Sequence, residues 1–71
     1  MFESVQHYAE QLRKEHGSGL LTKEQAAKEL GVSRATLDRF RQQGLIKTKK
    51  VGHQVRIPVM EIARFVVEDE R

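Results

Sequence analysis

In the run KEQAAKELGVSRATLDRF, from Lys23 to Phe40, Ala27 is followed four residues on by Gly31 and six further on by Leu37. Two short helices crossing steeply around a tight turn need that spacing. A small residue at 27 lets the second helix approach the first, Gly31 supplies a turn that requires positive φ, and Leu37 closes the pair from inside. The flanking residues agree: Thr22 with Gln25 three positions on forms a capping box, and Ser33 is placed to cap the second helix. The sequence therefore predicts one helix over Lys23 to Leu30, burying Ala26, Ala27 and Leu30. A second runs from Arg34 to about Gln43 and turns Leu37 and Phe40 inward. Arg34, Asp38, Arg39 and Gln42 are left outward, and Gly44 is the natural stop.

From Leu45 the helical period gives way to alternation. Ile46, Val51, Val55 and Ile57 are apolar and β-prone, which predicts a hairpin of Ile46 to Val51 and Gln54 to Ile57 with its tip near Gly52 and His53. Pro58 suits the first turn of a following helix, with Val59, Ile62, Phe65 and Val66 on its apolar face. The acidic tail Glu68, Asp69, Glu70 opposes the helix dipole there and predicts fraying. At the other end Phe2, Val5, Ala9 and Leu12 recur at spacings of three, four and three, the stripe of a short amphipathic helix ending near His16 and Gly17. Gly17, Ser18 and Gly19 form a joint, so the chain divides into an N-terminal helix, residues 1–16, and a main unit, residues 20–67. The N-terminal helix can pack on that unit or pair with a copy of itself, and packing, the commoner outcome for so short a stripe, is expected.

A chain of 71 residues makes one small domain with a thin core, and no room for a deep catalytic cleft. Cysteine is absent, so there are no disulfide staples or thiolate metal sites. No apolar run is long enough to span a membrane, and MFESVQHYAE lacks the regions of a signal peptide, which points to a soluble cytoplasmic protein. His7 and His16 have no acidic or thiol partner at metal-ligand spacing, so no metal or cofactor is expected. No phosphate-binding glycine loop or nucleophile elbow is present, and the carboxylates fall on exposed helix faces, so no enzymatic activity is expected.

Charge is unevenly distributed. Between Ser33 and Arg56 lie seven basic residues, Arg34, Arg39, Arg41, Lys47, Lys49, Lys50 and Arg56, against one acid, Asp38, a net of +6. The remainder carries six basic and nine acidic residues, a net of −3. Positive charge confined to the segment with the best structural motif is the footprint of a face that meets nucleic-acid phosphates. On the second helix Ser33 and Arg34 stand at the N-terminus, suited to a phosphate, while Arg34 and Arg39 lie about 140° apart and flank one surface. An Arg reaching guanine O6 and N7 discriminates by ~1–3 kcal/mol. Thr36 is suited either to a phosphate or to packing on the preceding helix, and Gln42 to the rim. On the hairpin, Lys47 and Lys49 fall on one face and Lys50 on the other; Arg56 follows the tip, where His53 and Gln54 are candidates for the minor groove. Arg41, beside the inward Phe40, either snorkels from a packed stem or faces outward.

Gly31-Val32-Ser33, Thr36-Leu37, Phe40 and Gly44-Leu45-Ile46, followed by Val51-Gly52-His53-Gln54-Val55-Arg56-Ile57-Pro58, resemble the MerR-like winged helix-turn-helix superfamily, and within it the short excisionase-type branch. The resemblance covers Leu20 to about Val67. It implies a mainly α fold with a small β-hairpin, a winged helix-turn-helix to which the N-terminal helix is an addition. It also implies a sequence-specific double-stranded DNA-binding protein, with the second helix in the major groove and the wing on the backbone or minor groove. Ser33, Arg34, Thr36, Arg39 and Arg56 inherit those roles. Asp38 departs from the aromatic or basic residue often found at its position, so a partner in Arg34 or Arg41, or a cytosine, is expected for it instead. The coiled-coil helix of full MerR regulators is not in this sequence, and no small-molecule effector domain is expected. The roles implied are an excisionase-like recombination directionality factor, with an integrase or further copies on adjacent sites as partners, or a compact transcriptional regulator. The N-terminal stripe suggests an alternative, an assembly module like a phage terminase small subunit that recruits a larger enzyme to DNA.

Overall fold

The computed structural model describes residues 4–68. Its elements are α1 (Val5–His16), β1 (Leu20–Leu21), α2 (Lys23–Leu30), α3 (Arg34–Gln42), β2 (Lys49–Val51), β3 (Gln54–Pro58) and α4 (Val59–Glu68). Local chemistry explains most of their boundaries. Ser4 caps α1 by accepting from the His7 amide at 3.0 Å. Thr22 and Gln25 close a reciprocal capping box at the start of α2, each bond 3.0 Å. α2 ends where Gly31 enters the left-handed region at φ 71°, and the amides of Gly31 and Val32 then donate to Lys28 and Ala27 carbonyls that the helix leaves free. A Cβ at Gly31 would meet nothing within 4 Å, so the requirement for glycine is in the backbone and not in the packing.

The three strands form one antiparallel sheet in the order β1-β3-β2. β1 extends the expected hairpin to three strands: Leu20 pairs with Pro58 and Leu21 with Ile57, and the Val59 amide donates to the Gly19 carbonyl at 2.9 Å. This pairing also moves the start of α4. Pro58 is the last residue of β3 and not the first of the helix: the ladder bond beside it is made by the Val59 amide, so its missing N–H is not needed, and its fixed φ suits an extended residue. The hairpin is shorter than its apolar pattern predicts. Ile46 is not in a strand; the chain from Leu45 to Thr48 is irregular and turns Ile46 into the core, where it is 1 % exposed.

Leu12, Leu21, Leu37, Ile46, Ile57 and Ile62 are the fully buried large side chains, drawn from α1, β1, α3, the α3–β2 connection, β3 and α4. Each such burial is worth about 1.5–3 kcal/mol against exposure, so one layer of leucine and isoleucine organises the domain. α2 contributes the small Ala26 and Ala27, which allow its close approach, and Leu30 and Phe40 are half-buried at the margin. Phe40 stacks on Phe65 of α4, ring centroids 5.0 Å apart. α1 lies on α4 and buries Ala9 and Leu12, with Val5 packed at the edge. Phe2 and the acidic residues after Glu68 fall outside the described residues. On α4, Val59, Ile62 and Ala63 are buried, whereas Val66, expected inward, lies in the last turn with too few neighbours to cover it and stays 41 % exposed.

Candidate nucleic-acid interface

α3 is carried outward by its own caps and by Leu37. Ser33 Oγ accepts from the Thr36 amide at 3.1 Å and donates to Thr36 Oγ1 at 3.0 Å. The two hydroxyls therefore form one unit at the helix start, and the Thr36 hydroxyl proton is left to donate outward. At the other end Gly44, at φ 80°, turns the chain so that the Leu45 amide reaches the Phe40 carbonyl at 3.0 Å. Between these ends Arg34, Arg39 and Gln42 are exposed.

The three arginines of α3 have different surroundings. Arg34 Nη1 lies 3.5 Å from Glu24 Oε2 in the first turn of α2, both side chains largely in solvent. Arg39 has no ion pair among the described residues. Arg41 is half-buried, its Nε 3.8 Å from Asp38 Oδ1, and Lys23 Nζ approaches the same oxygen at 3.4 Å. Neither contact has hydrogen-bond geometry, so this is a charge cluster tying α2 to α3 and not a directed network. Asp38 is thus partly turned inward, contrary to the outward position expected for it, with Arg41 and Lys23 as partners in place of Arg34.

The wing is β2, β3 and the turn between them. Its tip is a two-residue loop in which Gly52 has φ 65° and His53 does not enter the left-handed region, the pattern of a type II′ hairpin turn. Register puts Lys49 opposite Arg56, Lys50 opposite Val55 and Val51 opposite Gln54. Directly opposed residues share a face, so Lys49 and Arg56 stand together with Gln54, while Lys50 belongs to the other face. Arg56 donates to Gln54 Oε1 and, at 3.3 Å, to the Val55 carbonyl, which orients its guanidinium along the strand. Lys47 is exposed but precedes the strand, so it does not share the Lys49 face; its amide donates to Glu61 Oε1 of α4 at 3.0 Å.

The start of α2 and the wing flank an open cleft of about 340 Å3, to which α3 adds Arg34; its lining is Thr22, Lys23, Glu24, Arg34, His53, Gln54, Val55 and Arg56. Of the residues expected to form the face, Arg34, His53, Gln54 and Arg56 come together here. Ser33, Thr36, Arg39, Gln42, Lys47 and Lys49 lie outside the cleft: Ser33 caps α3, Thr36, Arg39 and Gln42 are on it, Lys47 is in the α3–β2 connection and Lys49 is on β2. The sequence reading missed Lys23 and Glu24. Their only signal is a place in the first turn of a capped helix, and it takes the tertiary crossing to set that turn against the wing.

One polar cluster lies elsewhere. His16, for which sequence spacing shows no acidic partner, has its Nε2 3.1 Å from Glu29 Oε1, so α1 and α2 are bridged by residues distant in the chain. Glu15 is close by, with ligand atoms of all three within 4.8 Å of one another. Burial, then the charges of Glu29 and Glu15, raise the nearby Tyr8 phenol above its ordinary value.

A family model for the helix-turn-helix domain matches residues 20–68, from β1 to the end of α4. The chain belongs to this family. No match was found among curated proteins or among solved structures. The helix-turn-helix protein therefore has a fold whose general use is to bind double-stranded DNA and which is typically not enzymatic, here with a three-stranded winged sheet and an N-terminal helix. No helix among its described residues is long and apolar enough to cross a membrane.

Proposed function

We propose that this protein is a small sequence-specific double-stranded DNA-binding protein of the MerR-like, excisionase-type branch, without enzymatic activity of its own. Residues 20–67 form the DNA-binding unit. α3 lies in the major groove, with Arg34 and Arg39 toward base edges and phosphates, Ser33 and Thr36 at a phosphate near the helix start, and Gln42 at the rim. Lys47, Lys49 and Arg56 follow the flanking backbone, and His53 and Gln54 reach the minor groove.

The observation that carries this reading is the pairing of Lys49 with Arg56. Like charges directly opposite on a hairpin destabilise it, and no carboxylate is paired with either among the described residues. A phosphate against that face supplies the missing counter-charge. The cleft lined by both Arg34 and Arg56 supports the reading that helix and wing address one duplex. The assembly-module alternative drew on the N-terminal stripe; Ala9 and Leu12 of that stripe are buried against α4 and are not left for another protein.

Fluorescence anisotropy with duplex DNA tests the reading. Arg34→Ala with Arg39→Ala is expected to cut affinity sharply and to reduce the dependence of binding on salt. Failure of the parent protein to bind any duplex ends the reading outright. Footprinting across a recombination site and a promoter separates the two roles. A protected tract over tandem direct repeats supports the excisionase-like factor, acting with an integrase or further copies on adjacent sites, and one short palindrome supports a dimeric regulator.

A further inference from the structure

We propose that Glu24 is a specificity-determining residue of the DNA-binding face, acting by restraining Arg34; the inference rests on the DNA-binding reading above. Glu24 is the one carboxylate among the residues that line the cleft, where Lys23, Arg34 and Arg56 supply positive charge. A carboxylate there works against phosphate binding, and it belongs to α2 and not to the helix that enters the groove. Its contact accounts for it: Glu24 Oε2 lies 3.5 Å from Arg34 Nη1 across the α2–α3 turn.

The geometry of a guanidinium gives this contact a consequence. Arg presents five N–H donors in a fixed planar fork, so a carboxylate beside Nη1 leaves the remaining donors for a guanine edge. Glu24 and guanine are therefore compatible partners. A phosphate can use the same donors, but as an anion it is repelled by the neighbouring Glu24 carboxylate, whereas the guanine edge is neutral. Glu24 thus weakens unspecific complexes while holding Arg34 in place for a base, and discrimination arises from a repulsive element as well as an attractive one. Both side chains are largely in solvent, with 59 % and 76 % exposure, so the restraint is soft and DNA can displace it.

The experiment uses the full chain, a random-sequence duplex pool, and a duplex selected from that pool by the parent protein. Glu24→Gln is expected to bind the random pool about two- to five-fold more tightly, the scale of an exposed ion pair, without a matching gain on the selected duplex. The ratio of selected to random affinity then falls. In an Arg34→Ala background the same substitution is expected to leave the ratio unchanged. If Glu24→Gln leaves the ratio intact in the parent, or lowers it equally without Arg34, the proposal is overturned and Glu24 is no more than a helix-start charge. Far-UV circular dichroism checks the fold. Should Glu24→Gln lose helix, Glu24→Asp keeps a carboxylate in the first turn of α2 but withdraws it by one methylene; a folded Glu24→Asp with the parent ratio overturns the proposal as well. A parent protein that binds no duplex removes the DNA-binding reading itself, an outcome distinct from either.

Discussion

α3 and β2 both carry exposed basic residues, yet they are held in opposite ways. α3 is fixed by side chains: Leu37 is 2 % exposed, Phe40 stacks on Phe65, and Asp38 draws in Lys23 and Arg41 from either helix. β2 has no buried side chain, since Lys49, Lys50 and Val51 are all exposed, and is held by its main-chain ladder to β3 and by one tight turn. A helix anchored through packing keeps its outward side chains at fixed positions, which base reading needs. A ribbon anchored only through its backbone adapts to the path of a phosphate chain, where charge matters more than register.

The comparison breaks most visibly at Leu37. Leu37→Ala removes a buried side chain from the layer shared by five elements and the α3–β2 connection, and a loss of ~2–5 kcal/mol in unfolding free energy is expected. Val51→Ala, the corresponding truncation in β2, is expected to change global stability by less than ~0.5 kcal/mol, because a half-exposed side chain leaves no cavity. Urea unfolding followed by far-UV circular dichroism reads both. Equal losses at the two positions mean that the wing is packed as firmly as the helix.

Backbone strain of similar size is expected to have different reach in the two regions. Gly31 and Gly52 have φ of 71° and 65°, and neither has an atom within 4 Å of an added Cβ, so alanine at either meets the same ~1–2 kcal/mol penalty of the left-handed region. At Gly31 that penalty falls on the turn that sets α2 against α3, and the whole domain should lose the full amount. At Gly52 it falls on the hairpin tip, where the ladder opens without disturbing the core. Native-state hydrogen exchange separates the cases: Gly31→Ala should speed exchange of the most protected amides, and Gly52→Ala only those of β2 and its partners on β3.

The same contrast explains what could be read from the residues alone. Thr22, Gln25, Gly31, Ser33 and Gly44 act on neighbours within a few positions, and every one of these caps and stops takes the place that local chemistry assigns it. The hairpin tip at Gly52 is equally local. β1 is different: Leu20 and Leu21 are too short a run to show alternation, and their partners Ile57 and Pro58 come from the far end of the chain. Ile46 follows the alternating pattern and still lies outside the sheet, buried in the core from an irregular connection, because hydropathy does not distinguish a strand from a connection. At the cleft, Arg34 and Arg56 announce themselves by charge. Glu24 does not, since an acidic residue in a first helical turn is accounted for by the helix dipole until the fold puts it beside Arg34.

The like-charge pair gives the most direct measure of how the wing is built. In the free protein Lys49 opposes Arg56, so Lys49→Thr removes a like-charge pair and places a β-branched residue in a strand; a gain of ~0.2–1 kcal/mol in stability is expected, and more at low salt than at high. On the proposed reading the same substitution also removes one phosphate partner, so affinity for every duplex should fall by a similar factor, and the slope of log affinity against log salt should drop by about 0.9. Stability and binding therefore move in opposite directions at Lys49. At Leu37 they move together, because loss of the core carries Arg34 and Arg39 with it. A Lys49→Thr protein that loses both stability and affinity assigns Lys49 to the frame of the domain, and one that gains stability while losing affinity shows a residue kept on the wing at some cost to the fold because a polyanion lies against it.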